Sequence, residues 1–509
     1  MYRRFWVHGS AVLFLSMAFA SPVLSRTLDL EGLAPPRLSP APGELVLPNA
    51  SAALGEAGKR DFQRALAAFM SNDFGAAERI SRGLTQSAAE APEGWYLLGM
   101  ALANLDQREE AIQAMDQAAR FYKANAAPLV IKGDLLLSLG RRDEAGAAWR
   151  NAIQVDPANW QAHERIAALL ESLDDREGAI GHYEQAIAET DAGHLYPRLQ
   201  AARLYLLTGN PDRTEALLDD VARSEDAPSL ALDYLARAKV GLDKLDEGKA
   251  LFDRLIARSE SPRPYVARAR IAVADQNLAE AEAVLSEART HFPHDPGLLL
   301  EHGRVLGATG QYDRALAAFN EGLAAAPRQP ALLRAASLAA ARVGQDASAV
   351  DFARSVAGLP EATAEDRVRL ASLLERTGGG EEAVTIYRDV LHSDPQNWMA
   401  LNNLANLLTE SAPDEAVALA ERAVALAPDV ATLRDTLGLA QLKAGKMDLA
   451  ARTFESLRAD EPSAALAAYR LGVVRLEQGM PAEGRALLQE ALTLEPDFAY
   501  AGDARQRLR

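Results

Sequence analysis

Four arginines recur along the middle of the chain at nearly constant intervals. They are separated by 34, 33 and 34 residues and are Arg203, Arg237, Arg270 and Arg304. A guanidinium group presents a planar fork of donors that suits a carboxylate or a phosphate. In a chain with a net charge of −17, an aligned row of arginines is a candidate site for an anionic partner.

Three asparagines form a second candidate site in the stretch LNNLANLL, residues 401–408. They are Asn402, Asn403 and Asn406. A carboxamide both donates and accepts hydrogen bonds, so these residues suit contact with a peptide. The alternative is that they are polar filler.

The sequence contains none of the motifs GxxxxGK[ST], GxGxxG, HExxH or GxSxG. TGGG at 377–380 is interpreted as a turn between helices. In HFPHD, 291–295, Pro293 breaks the helix that would align the two histidines, and no third metal ligand has diagnostic spacing. We therefore expect no enzymatic activity, no catalytic residue, no cofactor and no metal site.

Composition excludes several other classes. The chain has no cysteine, which rules out disulfides, thiolate metal sites and a lipid-anchored N-terminal cysteine. The net charge of −17 argues against nucleic acid as a general partner, because phosphate neutralisation needs a basic surface.

The first residues have the layout of a secretory signal peptide, predicted over 1–25. Two arginines precede an apolar run and then small residues, and cleavage is expected after Ala20 or after Ser25. An uncleaved anchor is the alternative, but the run is shorter than the ~20 residues needed to span a bilayer. No later segment is apolar enough to span one, and the proline-rich residues 26–57 are predicted to be a flexible leader.

Small residues recur through the rest of the chain with the same period as the arginines. One series, spaced by 33 to 35 residues, is Ala77, Ala111, Ala145, Ala179, Thr214, Gly248, Ala281, Ala315, Ala349, Ala383, Ala416, Ala450 and Gly484. A second series includes Gly99, Gly133, Ala202, Gly303, Ala405 and Gly438. Bulky residues such as Trp149 and Phe319 follow the first series by four positions. We expect the small residues to let helices approach and the large ones to fill the gaps beside them.

Each period contains two amphipathic segments separated by a turn, often with glycine, and often ends in proline. This pattern resembles the tetratricopeptide repeat family. The family's Trp, Leu-Gly, Tyr, Ala, Phe and Ala positions correspond in this chain to Trp95, Leu98-Gly99, Leu102, Ala111, Met115 and Ala118. The resemblance implies an all-α fold: a right-handed superhelical α-solenoid of about thirteen helical hairpins.

The resemblance also implies the organisation of the chain. Repeats 1–9 are placed at 58–363, repeats 10–13 at 364–498, and a solvated C-terminal cap at 499–509. In this family the concave groove is lined by the first helix of each hairpin. Both candidate sites fall on such positions: the arginines would form a ladder along the groove, unless Asp233, Glu301 or other acids pair with them.

These inferences favour a non-catalytic scaffold that binds protein partners in its groove. Export would make it periplasmic, and residues 398–480 are similar to repeat proteins of exopolysaccharide and exosortase systems. We therefore expect partners in the envelope or secretion machinery. The alternative is direct binding of an acidic polysaccharide along the arginine ladder.

Overall fold

A computed structural model describes residues 54–460 and 464–509. Within these ranges the chain forms 27 α-helices and no strand. The predicted signal peptide, 1–25, and nearly all of the predicted leader, 26–57, lie outside the described residues. The fold is therefore all-α, as the sequence predicted.

The first 26 helices pair into thirteen hairpins, and α27 follows them. The first helices are α1 Glu56–Met70, α3 Pro92–Asn104, α5 Ala127–Ser138, α7 Trp160–Ser172, α9 Tyr196–Leu207, α11 Ser229–Gly241, α13 Arg263–Ala274, α15 Pro296–Ala308, α17 Pro330–Arg342, α19 Ala364–Thr377, α21 Trp398–Leu408, α23 Ala431–Lys443 and α25 Ala465–Glu477. The second helices are α2 Phe74–Ser87, α4 Arg108–Phe121, α6 Arg142–Val155, α8 Arg176–Ala188, α10 Pro211–Ala222, α12 Leu245–Ile256, α14 Leu278–His291, α16 Tyr312–Ala325, α18 Asp346–Ala357, α20 Gly380–Ser393, α22 Pro413–Leu426, α24 Met447–Asp460 and α26 Pro481–Leu494. The last helix is α27, Ala501–Arg507.

The hairpins belong to two compact units, 54–260 and 261–509. The first unit contains α1–α12 and the second contains α13–α27. Inside each unit a helix packs mainly against its neighbours in the chain, and first helices of successive hairpins also touch, as α9 touches α11 and α19 touches α21. The division after residue 363 stays a prediction.

A residue with positive φ ends the first helix in most hairpins. Glycine takes this role at Gly310, with φ of 78°, and at Gly445, with φ of 73°. Asp174 does so at 62°. Glycine has no Cβ to clash in this left-handed conformation, so it is the usual residue there. The glycine turns predicted between helices are confirmed.

The recurring small residues lie in the interior. Ala111, Ala145 and Ala315 each have 0% exposed surface. The one polar member, Thr214, is also buried, and its hydroxyl donates to the carbonyl of Ala202 at 2.9 Å. This hydrogen bond satisfies the hydroxyl, which explains why threonine replaces alanine there without an unpaired buried group.

The two ends of the described chain are covered in different ways. Before α1, Leu54 is only 1% exposed and packs with Phe62 and Ala65, so ordered packing begins inside the range predicted as leader. After the last hairpin, α27 buries Ala501 and Ala504 against hairpin 13. Among the helices described, none is long and apolar enough to cross a membrane.

Candidate protein-binding surface

The four periodic arginines lie on first helices, one each on α9, α11, α13 and α15. The first two belong to the unit 54–260 and the other two to 261–509. The structure describes each pair within its own unit. Whether the four form one continuous ladder stays a prediction.

Arg203 is the most buried of the four, at 1% exposed. Its guanidinium donates to a carboxylate oxygen of Glu171, which lies on α7 of the preceding hairpin. Its Nε also donates to Gln200 at 3.1 Å. Desolvated charges are costly unless they are paired, so this contact is a structural ion pair between two hairpins.

The other three arginines are also paired with acids. Arg237 donates to Asp233 on its own helix at 2.9 Å. Arg270 and Arg304 both donate to the same oxygen of Glu301, each at 3.0 Å. The alternative left open by the sequence, pairing with Asp233, Glu301 and other acids, describes these side chains in the structure.

The three asparagines lie on α21, where Asn402 and Asn403 are buried and Asn406 is partly exposed. The Asn403 amide donates to the Tyr387 hydroxyl at 3.1 Å and to the Ser372 hydroxyl at 3.2 Å. These two hydroxyls also contact each other at 2.9 Å. Asn403 therefore joins α21 to α19 and α20.

Asn402 is connected to this network through one bond only. Its amide donates to Asn403 Oδ1 at 3.2 Å, while its own Oδ1 is buried and has no hydrogen-bond partner among the described residues. An unsatisfied buried acceptor costs roughly 1–3 kcal/mol.

A carboxyl group completes this polar cluster, which we define as Ser372, Glu375, Tyr387, Asn402 and Asn403. Glu375 lies on α19, and its Oε1 is buried with no hydrogen-bond partner in the part of the chain that the structure describes. Burial raises the pKa of Glu375 to about 7, and a hydrogen bond from Tyr387 partly opposes the rise. Glu375 therefore takes up its proton at a higher pH than an exposed glutamate does.

Histidines meet in hairpin 4, which the sequence pattern did not indicate. His163 Nδ1 lies 2.9 Å from His182 Nδ1, and His194 Nε2 lies 2.5 Å from a Glu164 oxygen. Within residues 54–460 and 464–509, no group of three or more histidines and acids is placed to hold a metal ion. These contacts therefore link α7 to α8 and to the segment before α9.

Comparison with family models gives matches over most of the described chain. Models described as Tetratricopeptide repeat match residues 92–125, 132–194, 235–296, 272–339, 368–431 and 436–503. One of these models alone covers slightly more than half of the sequence. No curated protein sequence matches the chain.

Several solved structures resemble the chain at low identity. A chain of the APC/C hetero-tetramer Cut9-Hcn1 is 13% identical, with a TM-score of 0.39 over 90% of this chain and 97% of that chain. A chain of Naa15/Naa10 bound to HypK-THB is 16% identical, with a TM-score of 0.39 over 89% and 73%. Yeast Tom70 is 12% identical, with a TM-score of 0.33 over 82% and 94%. These similarities concern the fold and not the function.

Sequence reasoning missed Glu171 and Glu375, and it took Tyr387 only as one of the bulky residues that follow the first small-residue series by four positions. A signal for them was present, because both glutamates follow a small residue of the second series by four positions, as Glu375 follows Ala371. The same face of a helix is shared by residues four apart. What the pattern did not reveal is which of these carboxyls has a cation beside it.

Proposed function

Because the chain belongs to the tetratricopeptide repeat family, we propose that it is a non-catalytic scaffold that holds a segment of a partner protein against the first helices of its hairpins. The family is typical of protein-interaction scaffolds, and stacked repeats create the extended surface that such binding uses. We further propose that the protein is exported to the periplasm. There it would serve assembly or export of a cell-envelope polymer such as an exopolysaccharide.

One observation supports binding at first helices more than any other. The first helices α19 and α21 touch each other, and each presents a buried oxygen without a hydrogen-bond partner: Glu375 Oε1 on α19 and Asn402 Oδ1 on α21. Although these two oxygens are buried, other atoms of the Glu375 residue remain partly exposed, and so does Asn406 on α21. Donors on a partner segment would satisfy these acceptors, and a peptide carries such donors along its main chain.

Site-specific photo-crosslinking tests where the partner lies. A photo-reactive residue in place of Asn406, on α21, should give an adduct of defined mass in native cells. The matched control replaces Glu421, which is exposed on the second helix α22, and should give little adduct. Stronger crosslinking from position 421 than from position 406 would contradict binding at the first helices.

The proposal of export rests on the N-terminal sequence, outside the described residues. It has a direct test in the mature N-terminus. N-terminal sequencing of the native protein should give a chain that starts after Ala20 or after Ser25, and the protein should be released by osmotic shock. An intact Met1 together with retention in spheroplasts would contradict export.

The second candidate function is direct binding of an acidic polysaccharide. Arg270 and Arg304 share one carboxylate, Glu301, and the Arg304 side chain is 47% exposed. The Arg304 guanidinium therefore lies near the surface. Alginate at low salt should bind the wild type, and the double variant Arg270→Ala, Arg304→Ala should bind at least about tenfold more weakly.

The control for this experiment is Arg485→Ala, which removes an exposed arginine from the second helix α26. Its affinity for alginate should equal that of the wild type. Equal loss in both variants would indicate a general charge effect and exclude the site. Absence of binding by the wild type at low salt would exclude the function.

A further inference from the structure

The chain contains the same polar arrangement twice, with one difference. In hairpins 4 and 5, Glu171 follows the small residue Ala167 by four positions, Tyr183 follows Ala179 by four, and Arg203 directly follows Ala202. In hairpins 10 and 11, the residues at the same register are Glu375, Tyr387 and Asn406. The acid and the tyrosine recur, whereas asparagine replaces the arginine.

In the first arrangement the chain supplies its own cation. The Arg203 guanidinium donates to Glu171, and their side chains are only 2% and 6% exposed. Tyr183 is fully buried beside them. The carboxylate of Glu171 is thus neutralised by a guanidinium from the first helix of the next hairpin.

In the second arrangement no cation of the chain takes that place. Among the described residues, Glu375 forms no ion pair. The groups that face it are uncharged: Tyr387 from α20, with Asn402 and Asn403 from α21 beyond that hydroxyl.

The nearest arginines in the sequence are already committed to other acids. Arg376 pairs with Asp346 at 2.6 Å, and Arg369 pairs with Glu365 at 2.9 Å. Burial therefore holds the pKa of Glu375 at about 7, well above its usual range. This is the behaviour of a carboxyl that lacks its counter-ion.

We propose that the site where α19 meets α21, formed by Glu375, Asn402 and Asn406, receives the guanidinium of an arginine side chain from the partner segment. In the bound state this guanidinium occupies the place that Arg203 occupies against Glu171. The inference rests on the proposed function, since it assumes that a protein segment lies along the first helices. The net charge of −17 favours the approach of such a basic segment.

The partner's arginine supplies both a positive charge and hydrogen-bond donors. Its planar fork donates several hydrogen bonds, so beyond pairing with Glu375 it carries donors for a further acceptor such as Asn402 Oδ1, which has no partner among the described residues. A lysine ammonium offers a point charge and no fork. We therefore expect an arginine side chain to bind this site more tightly than a lysine side chain.

The experiment uses a fluorescent glycine–serine peptide with one central arginine, titrated with the full chain and followed by anisotropy. At about pH 8 and low salt, the arginine peptide should bind at least about tenfold more tightly than the same peptide with neutral citrulline. A lysine peptide should lie between them. Affinity for the arginine peptide should fall about tenfold from about pH 8 to about pH 6, because Glu375 takes up a proton in that range.

Two variants remove the site in opposite ways. Glu375→Gln deletes the charge, and Asn406→Arg supplies a guanidinium from the chain itself, as Arg203 does. Both should abolish the difference between arginine and citrulline peptides. The matched control Glu421→Gln removes an exposed negative charge outside this site. It should retain the difference in affinity between the arginine and citrulline peptides.

Failure of this inference is distinguishable from failure of the proposed scaffold function. Equal affinity of the arginine and citrulline peptides for the wild type would overturn the arginine site, even if crosslinking at position 406 still captures a partner. The same discrimination in Glu375→Gln as in the wild type would also overturn it. Circular dichroism of both variants checks that they are folded.

Discussion

Gly303 lies so close to the ring of Phe319 that a Cβ atom on the glycine would stand 2.3 Å from ring atom Cε1. The two residues lie on α15 and α16 of one hairpin. Gly133 and Trp149 repeat the relationship in hairpin 3, where the Cβ would stand 2.2 Å from the indole Nε1. Gly99 approaches Met115 at a less severe 2.8 Å.

Gly303→Ala should therefore destabilise the protein, although alanine is the better helix former. The helix gains about 1 kcal/mol from the substitution, whereas forcing a rigid ring aside costs roughly 1–3 kcal/mol. In Gly99→Ala the flexible end of Met115 can move, so the two effects nearly cancel. Thermal unfolding should give a lower Tm for Gly303→Ala than for Gly99→Ala, and the reverse order would contradict this packing account.

Arg203→Ala should be far more damaging than Arg304→Ala. Removing Arg203 leaves Glu171 charged and buried, which costs about 3–5 kcal/mol. Arg304 is 47% exposed, and an exposed pair contributes at most about 1 kcal/mol. Urea unfolding of the two variants measures the difference.

Equal stabilities of these two variants would show that Glu171 is not desolvated in the folded protein. The stability of Arg203→Ala also determines which of the four periodic arginines can be substituted in binding experiments. Charge reversal at Arg203 would place two carboxyls together in the interior, so loss of binding there would report loss of structure. Arg270 and Arg304 are the members of the row suited to binding experiments.

The fold was predictable because small residues recur in the sequence at the spacing of one helical hairpin. Ala111, Ala145 and Ala315 recur at the spacing of one hairpin and are fully buried, since only a residue of that size lets the two helices approach. The turn glycines follow from the same local chemistry. The first signal is a fixed spacing along the sequence and the second is a local turn, and neither requires knowledge of which helices meet. The sequence alone was therefore sufficient to predict the fold.

The state of the candidate sites was not predictable in the same way. Arg203 meets an acid that lies 32 residues earlier, on another hairpin, and nothing in the local sequence selects that acid. Glu375 has its raised pKa because of burial, which a hydrogen bond from Tyr387 only partly opposes. These are properties of how neighbouring hairpins stack, so they appear only once the register between helices is known.

Glu375→Gln should stabilise the protein above neutral pH. The pKa of Glu375 is raised from 4.5 to about 7 in the folded state, so its protonated form favours folding below about pH 4.5, and this contribution is lost as the pH rises through about 7. Glutamine keeps the neutral shape at every pH. At about pH 8 the variant should gain about 3 kcal/mol over the wild type, and near pH 4.5 the two should be alike.

Thermal unfolding at the two pH values, with Glu421→Gln as the control, checks this prediction. The control removes an exposed carboxylate and should leave the Tm within error of the wild type at both. A Tm for Glu375→Gln below that of the wild type at about pH 8 would mean that the Glu375 carboxylate has a favourable partner, contrary to the cluster described above.

His302→Gln should make the protein more resistant to mild acid. His302 is 2% exposed, and burial, with Arg289 nearby, lowers its pKa to about 4. A depressed pKa stabilises the folded state fully above about pH 6.5, and this contribution of about 3 kcal/mol is lost as the pH falls through about 4. Glutamine does not titrate, and its amide can still reach Ser286 and Arg289, which lie 3.4 Å from the imidazole nitrogens.

Hydrogen exchange of α15 between about pH 6.5 and 4.5 checks this prediction. The loss of protection should be weaker in His302→Gln than in the wild type. It should also be weaker than in the control His392→Gln, which alters an exposed histidine. Identical acid profiles for all three proteins would mean that His302 takes up its proton without unfolding hairpin 8.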